Sequence, residues 1–140
     1  MNLEFAGRFN KKELLLKEFN HWTIIIRENV VTLGSCIIIL NSGKQSLKDV
    51  SPEEMAEFPE VCQWFETKTK ELYGAEKWNY CAMMMFESFV HFAAIPRYSK
   101  DINMYDKLWT DPEWPKRTTL TKIDVDFDTL MKIKNDMLDK

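Results

Sequence analysis

Two spacings of apolar residues alternate along this chain, and each predicts its own kind of element. His21-Trp22-Thr23-Ile24-Ile25-Ile26-Arg27 is a β-branched run and predicts a strand. A turn over Glu28–Val31 and the Thr32-Leu33-Gly34-Ser35 lead-in precede a second strand, Cys36–Leu40, so the two should form a hairpin. From Pro52 to Tyr73 the spacing becomes helical: Met55, Phe58, Val61 or Cys62, Phe65 and Leu72 make an apolar stripe, with Lys68, Lys70 and Glu71 on the exposed side. Ser51 as N-cap, Pro52 at the first helical position and Glu54 at the third mark its start. Gly74 suits a left-handed cap at its end. Trp78–Met85 is apolar throughout and predicts a strand buried on both faces. A turn at Phe86-Glu87-Ser88 follows, then a strand Phe89–Ile95 stopped by Pro96, which has no N–H for a ladder. Alternation sends Phe89, His91, Ala93 and Ile95 one way and Val90, Phe92 and Ala94 the other.

The remaining stretches are weaker. Residues 1–10 carry little pattern. Lys11–Asn20 reads as a short helix capped by Asn10, with Leu14, Leu15 and Phe19 on one face. Asn41–Lys44 is a polar loop, and Gln45–Val50 turns Leu47 and Val50 toward the core. Ser99–Thr119 has no periodicity but holds Trp109, Trp114 and two prolines, so it is either pinned to the body or part of a ligand wall. Asp124–Lys140 predicts an amphipathic helix bearing Phe127, Leu130, Met131, Ile133, Lys134 and Leu138. The order helix, strand, strand, helix, strand, strand, loop, helix describes an α+β domain with an antiparallel sheet. One domain over 1–140 fits the length, with its core at about 21–98 and a loop and C-terminal helix over 99–140.

Composition narrows the function. Apolar residues make up 45% of the chain and aromatics 13%, so it folds around a core. A net charge of −3 gives no reason to bind nucleic acid polymers or anionic membranes. No apolar run reaches the ~20 residues of a membrane helix, and the N-terminus lacks a signal peptide's apolar segment. Cys36, Cys62 and Cys81 are unclustered and read as free thiols in a reducing cytoplasm. Two histidines and scattered carboxylates give no metal spacing, the four glycines form no phosphate-cradling loop, and no cofactor is expected.

Phe89-Val90-His91-Phe92-Ala93-Ala94-Ile95-Pro96-Arg97 resembles the signature of the histidine triad family, in which three histidines occupy alternate strand positions, often before Pro-Arg. Here the middle histidine alone is kept, as His91; Phe89 and Ala93 stand at the other two positions. Asn79-Tyr80, Met84-Met85 and Pro96-Arg97-Tyr98 also match a bacterial subgroup of that family, and the resemblance runs from about residue 21 to the Trp-Pro at 114–115.

The resemblance implies an antiparallel sheet that continues across a homodimer. It further implies a nucleotide phosphohydrolase or nucleotidyl transferase acting on a dinucleoside polyphosphate or nucleotide phosphoramidate. His91 would be the nucleophile, and an unperturbed imidazole, with pKa ~6.5, is nucleophilic near neutral pH. Arg27, Ser35, Asn79 and Arg97 would hold sugar or phosphate. His91 would then face a pocket with Arg27 and Asn79 on its walls, and Trp22, Trp109 or Trp114 could stack on a base. Each has a plain alternative: a core histidine bonded to a carbonyl, a surface arginine at a strand end, an Asn bridging backbone groups, an Arg capping a sheet edge, tryptophans in the core or a dimer interface. Ala93 offers neither charge nor a donor for the leaving group, which predicts slow turnover that Ala93→His should relieve. The rival reading is a catalytically impaired dimer that binds a nucleotide or a protein partner without turnover.

Overall fold

In the computed structural model, which describes residues 3–139, the chain forms β1 (Leu15–Glu18), β2 (Trp22–Ile26), β3 (Cys36–Leu40), α1 (Pro52–Tyr73), β4 (Lys77–Cys81), β5 (His91–Arg97), β6 (Ile102–Met104), β7 (Lys107–Trp109) and α2 (Phe127–Leu138). The first five strands make one antiparallel sheet in the order β1-β2-β3-β5-β4, and β6 pairs with β7 apart from it. Every residue of β2 and β3 is buried, because the sheet is covered on both sides. α1 lies on one face, where the Trp22 ring is 4.8 Å from Phe58 and Phe58 is 4.9 Å from Phe92. Trp22 Nε1 donates to the Glu54 carbonyl at 2.7 Å, so this buried indole keeps a partner. A 3-10 segment, Glu4–Phe9, reaches the opposite face, where Phe5 and Phe9 meet Phe89 edge-on at 5.3 and 6.0 Å.

The hairpin and α1 match the expectation, and α1 carries a capping box. Glu54 N donates to Ser51 Oγ at 3.1 Å, and Ser51 N donates to Glu54 Oε1 at 2.8 Å. Gly74 closes α1 at φ 77°. The buried stripe is Val61, Phe65, Thr69 and Tyr73 with Glu54; Met55 and Leu47 lie exposed.

Elsewhere the structure corrects the sequence reading. Lys11–Asn20 is not a helix: after a 3-10 turn at Lys12–Leu14 it becomes β1, because pairing with β2 buries Leu16 and overrides helical propensity. The strand expected to reach Met85 stops at Cys81, and Met83, Met85 and Phe86 are 66%, 82% and 87% exposed. β5 begins at His91 and runs through Pro96 to Arg97. The proline is tolerated because the ladder to β3 ends at Ala94, and the Pro96 carbonyl accepts from Thr32 Oγ1 at 2.5 Å. The unpatterned stretch after Ser99 contains the β6–β7 hairpin, turned by Tyr105 and Asp106, both at positive φ. α2 starts at Phe127, not Asp124, with Asp126 Oδ1 accepting from Thr129 N as the cap; Phe127 and Leu138 are exposed, and Lys140 lies outside the described residues.

Burial pushes the Glu54 carboxyl up, but the Lys44 ammonium at 2.7 Å, the Ser51 N–H and the Ser42 side chain outweigh it and hold its pKa down to about 2. This stabilisation is therefore present above the ordinary value near 4.5 and is lost as pH falls from there through about 2. Glu54→Gln should lower stability at pH 7 by roughly 1–3 kcal/mol. It should also flatten the acid limb of a denaturation series across that window, as read by urea unfolding at stepped pH.

Candidate functional site

The alternation of β5 decides which groups can meet. Phe92 faces α1, so His91, Ala93, Ile95 and Arg97 face the other side of the sheet. Directly paired residues share a face: Ile39 is opposite His91, and Ile37 and Cys81 flank Ala93. Arg27 follows Ile25, the partner of Ile37, by two residues, and its backbone N donates to the Ser35 carbonyl at 3.1 Å. Asn79 pairs with Ile95. His91, Arg27, Asn79 and Arg97 thus belong to one face of the sheet.

His91 is half-buried, its ring 5.0 Å from Phe89 and 5.8 Å from Phe9. Nδ1 lies 2.8 Å from the Phe89 carbonyl oxygen. A carbonyl only accepts, so Nδ1 carries the proton of the neutral ring and Nε2 is left as the basic nitrogen. Burial lowers the His91 pKa below its usual 6.5, against the Phe89 carbonyl and Glu87, which raise it; Arg27 and Arg8 add to the lowering.

The four expected binding residues differ in what they already hold. Ser35 is buried; its Oγ donates to the Thr32 carbonyl at 2.7 Å and accepts from the N–H groups of Val31 and Thr32, so it shapes the turn before β3. Arg97 is buried in a bidentate pair with Asp111, at 2.7 and 3.0 Å, and donates to Asn79 Oδ1 at 2.6 Å. That same Asn79 oxygen accepts from Thr118 N at 3.2 Å. Arg27 is different. Its Nε donates to the Asn29 carbonyl at 2.8 Å, and among the described residues no carboxylate pairs with it.

Arg27 and Asn79 do not line one pocket. Arg27 lines a cavity of about 150 Å³ with Arg8, Phe9, Glu28, Asn29 and Ile37. Asn79 lies in a groove of about 720 Å³ between β4 and the 117–120 segment. Ala93 is 4% exposed, packed with Val31 and Ile95 and against Cys81 and Leu120, so an imidazole there must displace one of these side chains. Phe89 is packed under Phe5 and Phe9. Trp22 and Trp109 are core residues whose Nε1 groups donate to the carbonyls of Glu54 and Met104, which leaves neither ring open to a base. Three side chains at this face escaped the sequence reading. Arg8 and Phe9 sit in the unpatterned N-terminus, and Asp111 sits in the unpatterned loop; only the fold brings them here.

No family model and no curated protein matches the sequence. Solved structures do. The NitFhit protein of C. elegans aligns over 90% of this chain with a TM-score of 0.66 and 11% identity, although the chain spans only 27% of that protein. A zinc-bound histidine triad family protein from Mycobacterium smegmatis aligns over 89% of this chain and 83% of its own, at TM-score 0.63 and 17% identity. The diadenosine triphosphate hydrolase of Plasmodium falciparum, solved with cyclomarin A, aligns over 91% and 76%, at TM-score 0.66 and 10% identity. The fold is that of the histidine triad proteins.

Because burial disfavours its charged form, the folded chain should keep His91 neutral at pH 7. Stability from this group then falls as pH drops below 6.5, where the unfolded chain takes up the proton first. NMR titration of the imidazole should give a midpoint below 6.5 and, at neutral pH, 15N shifts of the Nδ1-protonated tautomer.

Proposed function

We propose that this chain binds nucleotides and transfers or hydrolyses a nucleotidyl group through His91, with a dinucleoside polyphosphate or a nucleotide phosphoramidate as substrate. The observation that carries the reading is the 2.8 Å contact between His91 Nδ1 and the Phe89 carbonyl, at the start of β5, an interior strand of a histidine triad fold. That bond fixes the tautomer and aims chemistry at Nε2. Nε2 attacks the α-phosphorus; a P–N bond forms as the bond to the leaving group breaks, and the leaving group departs with the electron pair. Water then attacks phosphorus, the P–N bond breaks, Nε2 regains its lone pair, and the water proton passes to solvent. Arg27 offers charge to the phosphoryl oxygens, whereas Ser35, Asn79 and Arg97 shape the face from within. Ala93 delivers no proton, so substrates whose leaving groups depart unprotonated are favoured.

Packing favours a second reading, binding without turnover: Phe89 and Ala93 lie under apolar cover where the fold's other histidines would donate. A thermal-shift panel of mono- and dinucleotides, followed by turnover assays on whatever binds, separates the two. Under the first reading His91→Ala keeps nucleotide affinity and loses turnover by on the order of 10³-fold. Binding with no turnover in the wild type establishes the second, and no binding of any nucleotide removes both.

The same reading includes a homodimer joined through β4. This is an edge strand, and its groove carries Trp78 and Met83 beside exposed Met85 and Phe86. Sedimentation at micromolar concentration should give about twice the 16.6 kDa chain mass. Met83→Lys, at an exposed position lining that groove, should shift the population to monomer.

A further inference from the structure

The 3-10 segment Glu4–Phe9 does more than cover apolar surface. Phe5 and Phe9 pack on Phe89, and between them the segment brings Arg8 to the cavity that Arg27 lines. The cavity is also lined by Ile37, the cross-strand neighbour of Ala93 on β3, so it borders the strand beside the position that lacks its histidine. Phe9 lines the same cavity and has its ring 5.8 Å from His91.

The charges around the cavity do not cancel. Glu28 lines it but is paired with Lys11 at 2.9 Å. Arg8 lies over the Phe9 and Phe86 rings, at 4.9 and 5.2 Å, and its Nε holds Glu87 Oε1 at 2.9 Å. Arg27 has no carboxylate among the described residues and has lost part of its solvation. After burial, the charge of Arg8 is the next cause lowering the Arg27 pKa, and both arginines lower that of His91. Two like charges held against one small cavity, one half-buried without a counter-ion, define a place for an anion with at least two acceptor oxygens.

We propose that Arg8 and Arg27 form a phosphoryl-binding site beside His91, in which Arg8, carried by the N-terminal segment, supplies the positive charge that Ala93 does not, and Glu87 occupies Arg8 until the phosphate replaces it. This rests on the nucleotide reading for the identity of the substrate, but the anion site itself does not. Glu87 is thus a competitor: Arg8 is half exposed while Glu87 is largely covered, so the pair opens to solvent on the arginine side, where a multiply charged phosphate competes for the guanidinium.

Calorimetry with inorganic pyrophosphate, AMP and adenosine tests it on the wild type, Arg8→Gln, Arg27→Gln and Glu87→Gln, with folding checked by circular dichroism. Each arginine change should weaken pyrophosphate and AMP about tenfold or more and leave any adenosine affinity unchanged. Glu87→Gln should tighten both anions several-fold, an effect a purely structural ion pair does not produce. If Arg8→Gln destabilises the fold, Glu87→Gln and a salt series on the wild type still decide. Pyrophosphate binding that depends on both arginines without AMP binding would keep the anion site and sink the nucleotide reading. AMP binding indifferent to Arg8 and Glu87 overturns this proposal while leaving that reading intact, and absence of pyrophosphate binding by the wild type overturns it outright.

Discussion

The two-residue period of β5 constrains everything else in this molecule. One strand must present Phe92 and Ala94 to α1 and His91, Ala93 and Ile95 to the opposite cover, and a slip by a single residue would exchange the two sets. Trp22, Phe58 and Phe92 hold the first side at ring distances of 4.8 to 6.0 Å, which leaves no register but the observed one. The side of the sheet on which the imidazole stands is thereby set by aromatic packing on the far side, and its ring is then oriented by the Phe89 carbonyl.

Three arginines on the histidine face show how burial sorts like residues into different work. Arg97 is desolvated and neutralised by Asp111 in a bidentate pair, and removing either partner strands a buried charge at a cost of about 3–5 kcal/mol. Arg8 is half exposed and pairs with a largely covered Glu87. Arg27 is intermediate in burial, and among the described residues no carboxylate pairs with it. Burial and pairing, not the residue type, set Arg97 apart from the other two as scaffold.

The sequence was most legible where the signal is local. The hairpin bounds of β3 and the ends of α1 follow from β-branched runs, Ser51-Pro52 and Gly74, all of which act within a few residues. The parity of His91 was readable because a strand period needs no tertiary knowledge. The fold was reached through the words around His91, since composition alone stops at α+β. What failed were stretches decided by distant partners. Leu15–Glu18 became an edge strand because β2 was there to pair with, and Met83, Met85 and Phe86 stay exposed beyond the ladder between β4 and β5, which ends at Cys81. Asn79 and Arg97 were sensible ligands by motif, yet Asp111 and Thr118, contributed by an unpatterned loop, already engage them.

The cover over the histidine face also has a history in time. Phe5 and Phe9 leave the ribosome about eighty residues before Phe89, the ring on which both rest. Synthesis at ~5–20 residues per second therefore leaves these two aromatics without their seat for several seconds, while β2, β3 and α1 can already assemble. The N-terminal segment is made well before its seat, and β6, β7 and α2 emerge later still. Its docking waits on emergence of Phe89, two residues before the imidazole, so the cover over the histidine face is completed only once that stretch of chain has been made.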